Sequence, residues 1–446
     1  MKLWKIGMLL ILIIGAAILN FLPRQNYDYP IHVDEYVHIQ YASQLTENTA
    51  LYFPEERLNL EHGYHVLLGV LNQCGIDYLH MIKIMPALLM VLICLALFIL
   101  TRRIFNENSA MFSVIFFVLL KSSASILGPM YLVPLSIGLF LILIGLFLLE
   151  KNSNIFALLL ASLLIIHPPS AVAYFLVINI YLLINKKMGI DKIILQVIAF
   201  IISLPLYYPI FISKGAQSIN SLSFAQIISP IFIPRFLGYF VIIFVVLGIY
   251  FSVRNKRYDL SVLALLFLIF ALFTYRFNIE VIVPYARSLF YLFIIFAILF
   301  GQGINEFLLK FNDRLKVLAI ILILGLLFSF QLPDKINSTN EFYQIMDKND
   351  HGAFIWMKNN LPKGTIVVSD PWKANALTPF AGLEVYSRIV QGPSKKYEER
   401  NKEINEFFKG GCNEIDFLKK NNIGAVYGKC SNPLLYEGYP GVYLLR

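Results

Sequence analysis

The segment richest in groups that can do chemistry is His32-Val33-Asp34-Glu35-Tyr36-Val37-His38, two carboxylates and two imidazoles just beyond the first apolar block. From Asp34 onward the pattern is that of an amphipathic helix. Asp34 and His38 lie four apart and share a face, whereas Glu35 points elsewhere. A carboxylate in the first turn of a helix is favoured by the helix dipole. Held at the depth of a lipid headgroup, it suits one kind of reaction. A hydroxyl or amide acceptor is deprotonated and attacks the anomeric carbon of a sugar carried on a lipid phosphate. The same reaction needs cations or dipoles to receive the departing phosphate. Read from residue types alone, the segment is also compatible with a solvated loop whose acids keep it off the membrane.

Cations that could meet a phosphate on the same side are Lys83, Lys121, Lys214, Arg235, Arg276 and Arg287. Arg287 opens a late helix, where a guanidinium can hold a phosphate through two hydrogen bonds; the competing role is a snorkelling anchor at the interface. His62 and His65 are three apart, hence helical neighbours, and Glu61 adjoins them. With His32 and His38 they are candidates for substrate contact, and the pair with Glu61 is also a candidate metal site; polar residues of an outer helix would look the same. His167, next to Pro168 and Pro169, reads as an interfacial histidine. Asp370-Pro371-Trp372 reads as a turn ending a strand, and the run Lys395 to Lys402 as a solvated helix face.

These groups need a scaffold, and the composition says what kind. The chain has 446 residues, 58% hydrophobic and 15% charged, far from a soluble domain. Apolar blocks fall at 6–22, 84–100, 109–127, 131–149, 155–167, 170–185, 193–212, 236–252, 259–275, 284–301 and 316–332. Each is long enough, or nearly so, to cross ~30 Å of hydrocarbon. The fifth and sixth are short, meet at His167-Pro168-Pro169-Ser170, and have the length of a re-entrant hairpin. Basic residues concentrate in alternate loops, at Arg102-Arg103, Lys186-Lys187 and Arg254 to Arg257, which sets a cytoplasmic N-terminus. The net charge of +9 is explained by this orientation and calls for no nucleic-acid partner. The first block is longer than the core of a cleaved signal peptide and is expected to stay. The expected architecture is therefore a polytopic α-helical membrane protein of about eleven spans. Residues 1–333 form the transmembrane domain, with the first outer loop at 23–83. Residues 334–446 form a small extracytoplasmic α/β domain.

In that outer region the apolar runs shorten. A helix is expected from Glu341 to Asn360. Strands are expected at Thr365 to Ser369, Gly424 to Tyr427 and Val442 to Leu445, and further helices at Lys395 to Phe408 and Glu414 to Lys420. The sequon Asn337-Ser338-Thr339 agrees with an outer location. Of four cysteines, Cys412 and Cys430 lie in this region, where a bridge persists if formed; two unpaired thiols is the alternative. No spacing resembles a structural zinc site.

The sequence His-Val-Asp-Glu-Tyr after a first membrane helix resembles the aspartate-glutamate motif of the GT-C fold membrane glycosyltransferases. It is similar to the His-Pro-Asp-Glu form of the GPI and lipid-linked-oligosaccharide mannosyltransferases, with Val33 in place of proline. The class includes protein O-mannosyltransferases, lipid A aminoarabinose transferases and oligosaccharyltransferase catalytic subunits. Glu61 to Leu68, Pro284 to Leu289, and Trp356 to Pro362 leading to Val367-Val368-Ser369-Asp370 also resemble segments of archaeal and bacterial members. The resemblance implies Asp34 as catalytic base or metal ligand with Glu35 beside it, a polyprenyl-phosphate sugar donor at the outer leaflet, and inversion at the sugar. Acceptors in the class are glycans, lipids or proteins. It admits a divalent metal, Mg²⁺ or Mn²⁺, without requiring one.

Two departures matter. Oligosaccharyltransferases carry a second acidic motif in the next outer loop, but here Lys121 to Met130 holds no acid. Their Trp-Trp-Asp-Tyr-Gly motif is also absent from 334–446. Both argue for transfer of a single sugar from a lipid monophosphate rather than of an N-linked oligosaccharide. Two other functions remain open: a transporter or flippase, and a non-catalytic cell-surface assembly protein. Against transport, the acids sit in loops and at helix ends rather than at broken midplane helices.

Overall fold

Lipid offers no hydrogen-bond partners to a backbone, so long uncharged runs close on themselves as helices. The structure, a computed structural model, describes residues 2–47, 61–120, 128–214, 237–277, 283, 285–337, 344–389 and 395–445. Each apolar block expected from the sequence overlaps a helix among the described residues. These are α1 (Leu3–Phe21), α4 (Tyr78–Ile104), α5 (Glu107–Leu119), α6 (Pro134–Glu150), α7 (Phe156–Ile166), α8 (Pro168–Ile184), α9 (Ile190–Lys214), α10 (Tyr239–Arg254), α11 (Tyr258–Phe277), α12 (Tyr285–Leu308) and α13 (Asp313–Asn337). Among the described residues, five stretches are long and apolar enough to cross a membrane unaided: Leu3–Arg24, Tyr78–Ile104, Tyr258–Phe277, Tyr285–Leu308 and Asp313–Pro333. Helices α5, α6, α7, α8 and α10 are apolar but shorter. The break between α7 and α8 falls at His167, where the proline pair restarts the chain as a new helix.

Helix α12 is the axis of the bundle, buried along almost its whole length. It packs on α5, α10 and α11. Glycines let it approach α10 backbone to backbone: a Cβ on Gly248 would lie 1.9 Å from the Leu299 carbonyl oxygen, and one on Gly303 2.0 Å from that of Phe244. Small residues at such crossings replace the hydrophobic drive that lipid cannot supply.

Two helices of the first outer loop are not part of the apolar set: α2 (Val33–Glu47) and α3 (His62–Gln73), which pack on each other. The C-terminal region forms α14 (Lys348–Asn360), β1 (Ile366–Ser369), α15 (Pro371–Ala381), β2 (Glu384–Val385), α16 (Lys395–Lys409), α17 (Ile415–Lys420), β3 (Ile423–Tyr427), β4 (Leu435–Tyr439) and β5 (Val442–Leu445). The sheet order is β2-β1-β3-β5-β4. β1 runs parallel to β2 and β3, while β5 is antiparallel to β3 and β4. Cys412 and Cys430 form a disulfide with Cα atoms 5.3 Å apart.

Sequence reasoning missed α15. Asp370 does not close a turn; its side chain accepts from the amides of Trp372 and Lys373, and Pro371 occupies the first helical position. An aspartate cap followed by proline is a helix start. The expected helix at 341 begins later, where Asp347 and Asp350 form a reciprocal capping box. The sequon at 337 extends into residues 338–339, outside the described set.

Helix α2 is wedged between the bundle and the C-terminal region. On the side of that region, Tyr29 and Tyr36 join the same apolar core as Phe354, Met357, Val367 and Leu377, and α15 packs directly on α2. Tyr27 donates to the Met346 carbonyl at 2.7 Å, and Arg388 to the Gln40 side chain at 3.0 Å. On the bundle side, Glu35 is completely enclosed. It accepts from the Arg24 guanidinium, from the Leu132 amide at 2.7 Å and from the Ile31 amide at 2.8 Å. Arg24, also fully buried, reaches on to the Met130 carbonyl. Removing one member of a buried ion pair strands the other charge, at a cost of about 3–5 kcal/mol. Glu35→Ala and Arg24→Ala should therefore lower the thermal unfolding midpoint of the detergent-purified protein sharply, whereas Asp34→Asn should leave it nearly unchanged. Equal midpoints for Glu35→Ala and Asp34→Asn would refute the anchoring role.

Candidate functional site

The chemistry-bearing residues of the first outer loop converge because α2 and α3 pack side by side with the α7–α8 break behind them. Asp34 occupies the first turn of α2, part-buried. Its amide donates to the His32 Nδ1 at 3.1 Å, and its carboxylate stands 3.8 Å from the same nitrogen. His32 packs edge-on to Tyr131. One turn along, His38 Nδ1 lies 2.9 Å from His65 Nε2 of α3, so the two imidazoles share one proton between them. Tyr64 closes edge-on over His38, and Tyr41 packs against His65.

Glu61, immediately before α3, is the hub of this group. One carboxylate oxygen lies 3.9 Å from His38 Nδ1 and the other 3.4 Å from His167 Nε2. His38, Glu61 and His65 present ligand atoms that all lie within 4.8 Å of one another. His167 is fully buried, and its Nδ1 pairs with Ser170, which continues to the Tyr291 hydroxyl of α12. Its Nε2 makes no hydrogen bond among the described residues.

Burial governs the electrostatics. It pushes Glu61 up to about 7; the Arg287 guanidinium opposes this and the Asp34 carboxylate adds to it. Burial pushes His65 down to about 3, with help from His62, and holds His38 well below its ordinary value. His62, half-buried, is lowered for the same reason. The charge of Arg287 thus bears on both His38 and Glu61, and α12 touches the cluster through Tyr291, whose hydroxyl pairs with Ser170 beside His167. Among the described residues Arg287 pairs with no carboxylate.

The structure brings together Asp34, His32, His38, Glu61 and His65 from the sequence-derived set, with Arg287 in electrostatic reach, and adds His167, read from the sequence as an interfacial histidine, as a connecting group. Glu35 faces away, bound up with Arg24. Arg276 is exposed at the end of α11 over the Phe277 ring, with no contact to the cluster among the described residues. Lys121 and Arg235 lie outside the described residues. Lys83 is spent on an ion pair with Asp28 at 2.5 Å. One buried cation was missed: Lys335 near the end of α13, which donates to the Leu120 carbonyl at 2.8 Å. An isolated lysine after a span carries no pattern that marks it.

Three solved structures of an oligosaccharyltransferase from the archaeon Archaeoglobus fulgidus superpose on 95% of this chain and 69% of theirs. One, tethered to an acceptor peptide containing the NVT sequon, has a TM-score of 0.60 at 12% identity. The apo form gives 0.54 at 13%, and the complex with an inhibitory peptide and a dolichol-phosphate gives 0.53 at 12%. The fold is that of the GT-C glycosyltransferases. At such identity the likeness establishes the fold of this membrane protein and assigns none of its residues. No protein-family model and no curated protein matches the sequence.

The histidines set a pH response. Unfolded, His65 titrates near 6.5; folded, near 3. The stability it contributes is whole above 6.5 and is lost as pH falls toward the folded value, because protons then bind the unfolded chain more tightly. Glu61 runs the other way, giving stability below 4.5 that is lost as pH rises through about 7. In chelator-treated protein, acidification from about pH 7 to about pH 5 should lower the unfolding midpoint less in His65→Gln than in the wild type. Parallel curves would contradict the buried neutral imidazole.

Proposed function

We propose that this chain is a membrane glycosyltransferase that moves a sugar from a polyprenyl-phosphate donor to an acceptor at the outer face of the membrane, with Asp34 as the base. The observation that carries this reading is the placement of Asp34. It sits in the first turn of an enclosed helix, within electrostatic reach of Glu61, and the same Glu61 feels Arg287, a guanidinium without a carboxylate partner among the described residues. A base and a cation flanking one polar cluster is what transfer from a lipid phosphate requires.

In this reading Asp34 takes the proton of an acceptor hydroxyl or amide. The freed electron pair attacks the anomeric carbon from the face opposite the phosphate. The bond from carbon to phosphate oxygen breaks, its electrons leave with the phosphate, and configuration inverts. Arg287 receives the charge that develops on the leaving group, with Lys121, Arg235 and Arg276 as the further cations of the outer face. Glu35 holds the helix that aims Asp34, and His32, His38, His62 and His65 line the sugar and phosphate. The residues that fit a divalent cation are His38, Glu61 and His65, and a cation there, Mg²⁺ or Mn²⁺ among the candidates, would supply positive charge to the departing phosphate.

The donor class and a protein acceptor are supported by the neighbours of like fold, one tethered to an acceptor peptide and one in complex with a dolichol-phosphate. The missing second acidic motif and the missing Trp-Trp-Asp-Tyr-Gly favour a single sugar over an oligosaccharide, with glycan and lipid acceptors in the same class. The N-terminus is placed in the cytoplasm and 334–446 outside, on the distribution of basic loops.

Asp34→Asn should lower turnover by about 10²–10⁴-fold while binding of prenyl phosphate persists. Arg287→Ala should weaken donor binding at least tenfold, as expected for loss of a charge-assisted contact. Mass spectrometry of surface glycans from cells carrying each variant, with turnover assays on purified protein, reads both. Unchanged glycans in Asp34→Asn would instead favour a transporter or a non-catalytic surface protein.

A further inference from the structure

The group formed by His38, Glu61 and His65 has the build of a metal site as well as of a substrate lining. Both imidazoles are buried, they face each other nitrogen to nitrogen, and a carboxylate closes the third side. A cation bound at 2.0–2.2 Å by nitrogen and oxygen ligands needs its donor atoms about 3.3–3.5 Å apart. The observed separations straddle that value: 2.9 Å for His38 to His65 and 3.9 Å for His38 to Glu61. The third pair, His65 and Glu61, lies within 4.8 Å, so shifts of about half an ångström to one ångström at flexible side chains bring the three ligand atoms to coordination distance. The one internal change required is that the imidazole now donating between the two rings move its proton to its other nitrogen.

A second observation points the same way. The Nε2 of His167, wholly buried, makes no hydrogen bond among the described residues and lies 3.4 Å from the Glu61 carboxylate oxygen that is not turned to His38. Its ring is fixed from behind by Ser170 and Tyr291. An imidazole held in that way behind a carboxylate is the arrangement by which an outer group orients a metal ligand.

We infer that His38, Glu61 and His65 form a three-ligand site for a zinc-class divalent cation, oriented by His167 and independent of Asp34. The donor set decides the class. Two imidazoles with one carboxylate suit Zn²⁺ or Co²⁺, whereas Mg²⁺ favours all-oxygen shells that retain water. Three protein ligands leave a coordination position open. Resting on the transferase reading, that position is where a phosphate oxygen of the donor binds, so the site deepens the proposed function by assigning both the ion and its ligands.

Metal binding is measurable without donor, which keeps this inference separable from the transfer reaction. Full-length protein in detergent is stripped with chelator, dialysed against Zn²⁺ in the presence of excess Mg²⁺, and analysed for bound metal; a parallel sample is titrated with Co²⁺ and followed by its visible absorption. One Zn²⁺ per chain is expected, together with a Co²⁺ band of low coordination number. His65→Ala should abolish both, and His167→Gln should weaken affinity about tenfold, the lower end of outer-group effects. Asp34→Asn, and His80→Ala at an exposed surface histidine, should keep full stoichiometry. Should His65→Ala fail to run as a monodisperse species, Glu61→Gln, which preserves volume, is read in its place. Absence of retained metal in the wild type would overturn the inference. So would retention by both His65→Ala and Glu61→Gln, or loss in Asp34→Asn, which would locate the ion at the proposed base instead. Loss of turnover in Asp34→Asn with zinc still bound would uphold both proposals; zinc bound with turnover unaffected in that variant would leave the metal site standing and remove Asp34 as the base, and zinc bound with no turnover in the wild type would remove the transferase reading.

Discussion

The seat of α2 between the bundle and the C-terminal region depends on one buried ion pair. Arg24, placed by the end of the first membrane helix, and Glu35, in the first turn of the next, meet out of contact with water. Two backbone amides, of Ile31 and Leu132, also donate to the Glu35 carboxylate. Such a pair adds little net stability, because desolvation cancels most of the attraction, but it strongly penalises any arrangement in which either charge is left alone. Its effect is geometric. With Glu35 pinned to the bundle, helical periodicity leaves Tyr36 to enter the core of the C-terminal region and His38 to meet α3. Asp34 is left at the margin of the polar cluster.

That cluster obeys a single constraint, the removal of water. Low polarity keeps His38 and His65 neutral and raises the proton affinity of Glu61 until an added positive charge nearby becomes favourable. Arg287 supplies part of that charge from the bundle's central helix. The site is thus assembled from four separate parts of the chain, namely α2, the start of α3, the α7–α8 break and the start of α12. The GT-C scaffold is what allows an outer loop and late membrane helices to share one small volume.

Much of the scaffold was legible in the sequence, because hydrophobic block length and period are local signals. The apolar helices, β1, β3, β5 and the helices after 395 and 414 all follow from such patterns. β2 and β4 escaped, being too short or too glycine- and tyrosine-rich to show alternation. At the site, the helix start at Asp34 and the opposite facing of Glu35 were readable from spacing alone. What was not readable was who meets whom. Spacing made His62 the natural neighbour of His65, yet the partner in space is His38, 27 residues away. Arg24 carries no motif that marks it, and His167 was read as a lone interfacial group. Side-chain pairing across distant segments leaves no periodic trace.

The enclosure of Glu35 has a consequence for how the protein is made. Its nearer partner, Arg24, is synthesised before it, but the Leu132 amide arrives 97 residues later, and the Met130 carbonyl that completes Arg24 follows that arginine by 106. Until the segment from Met130 to Leu132 has been made, neither charge has these backbone partners, so the seat of α2 on the bundle can form only after α4 and α5 have been synthesised.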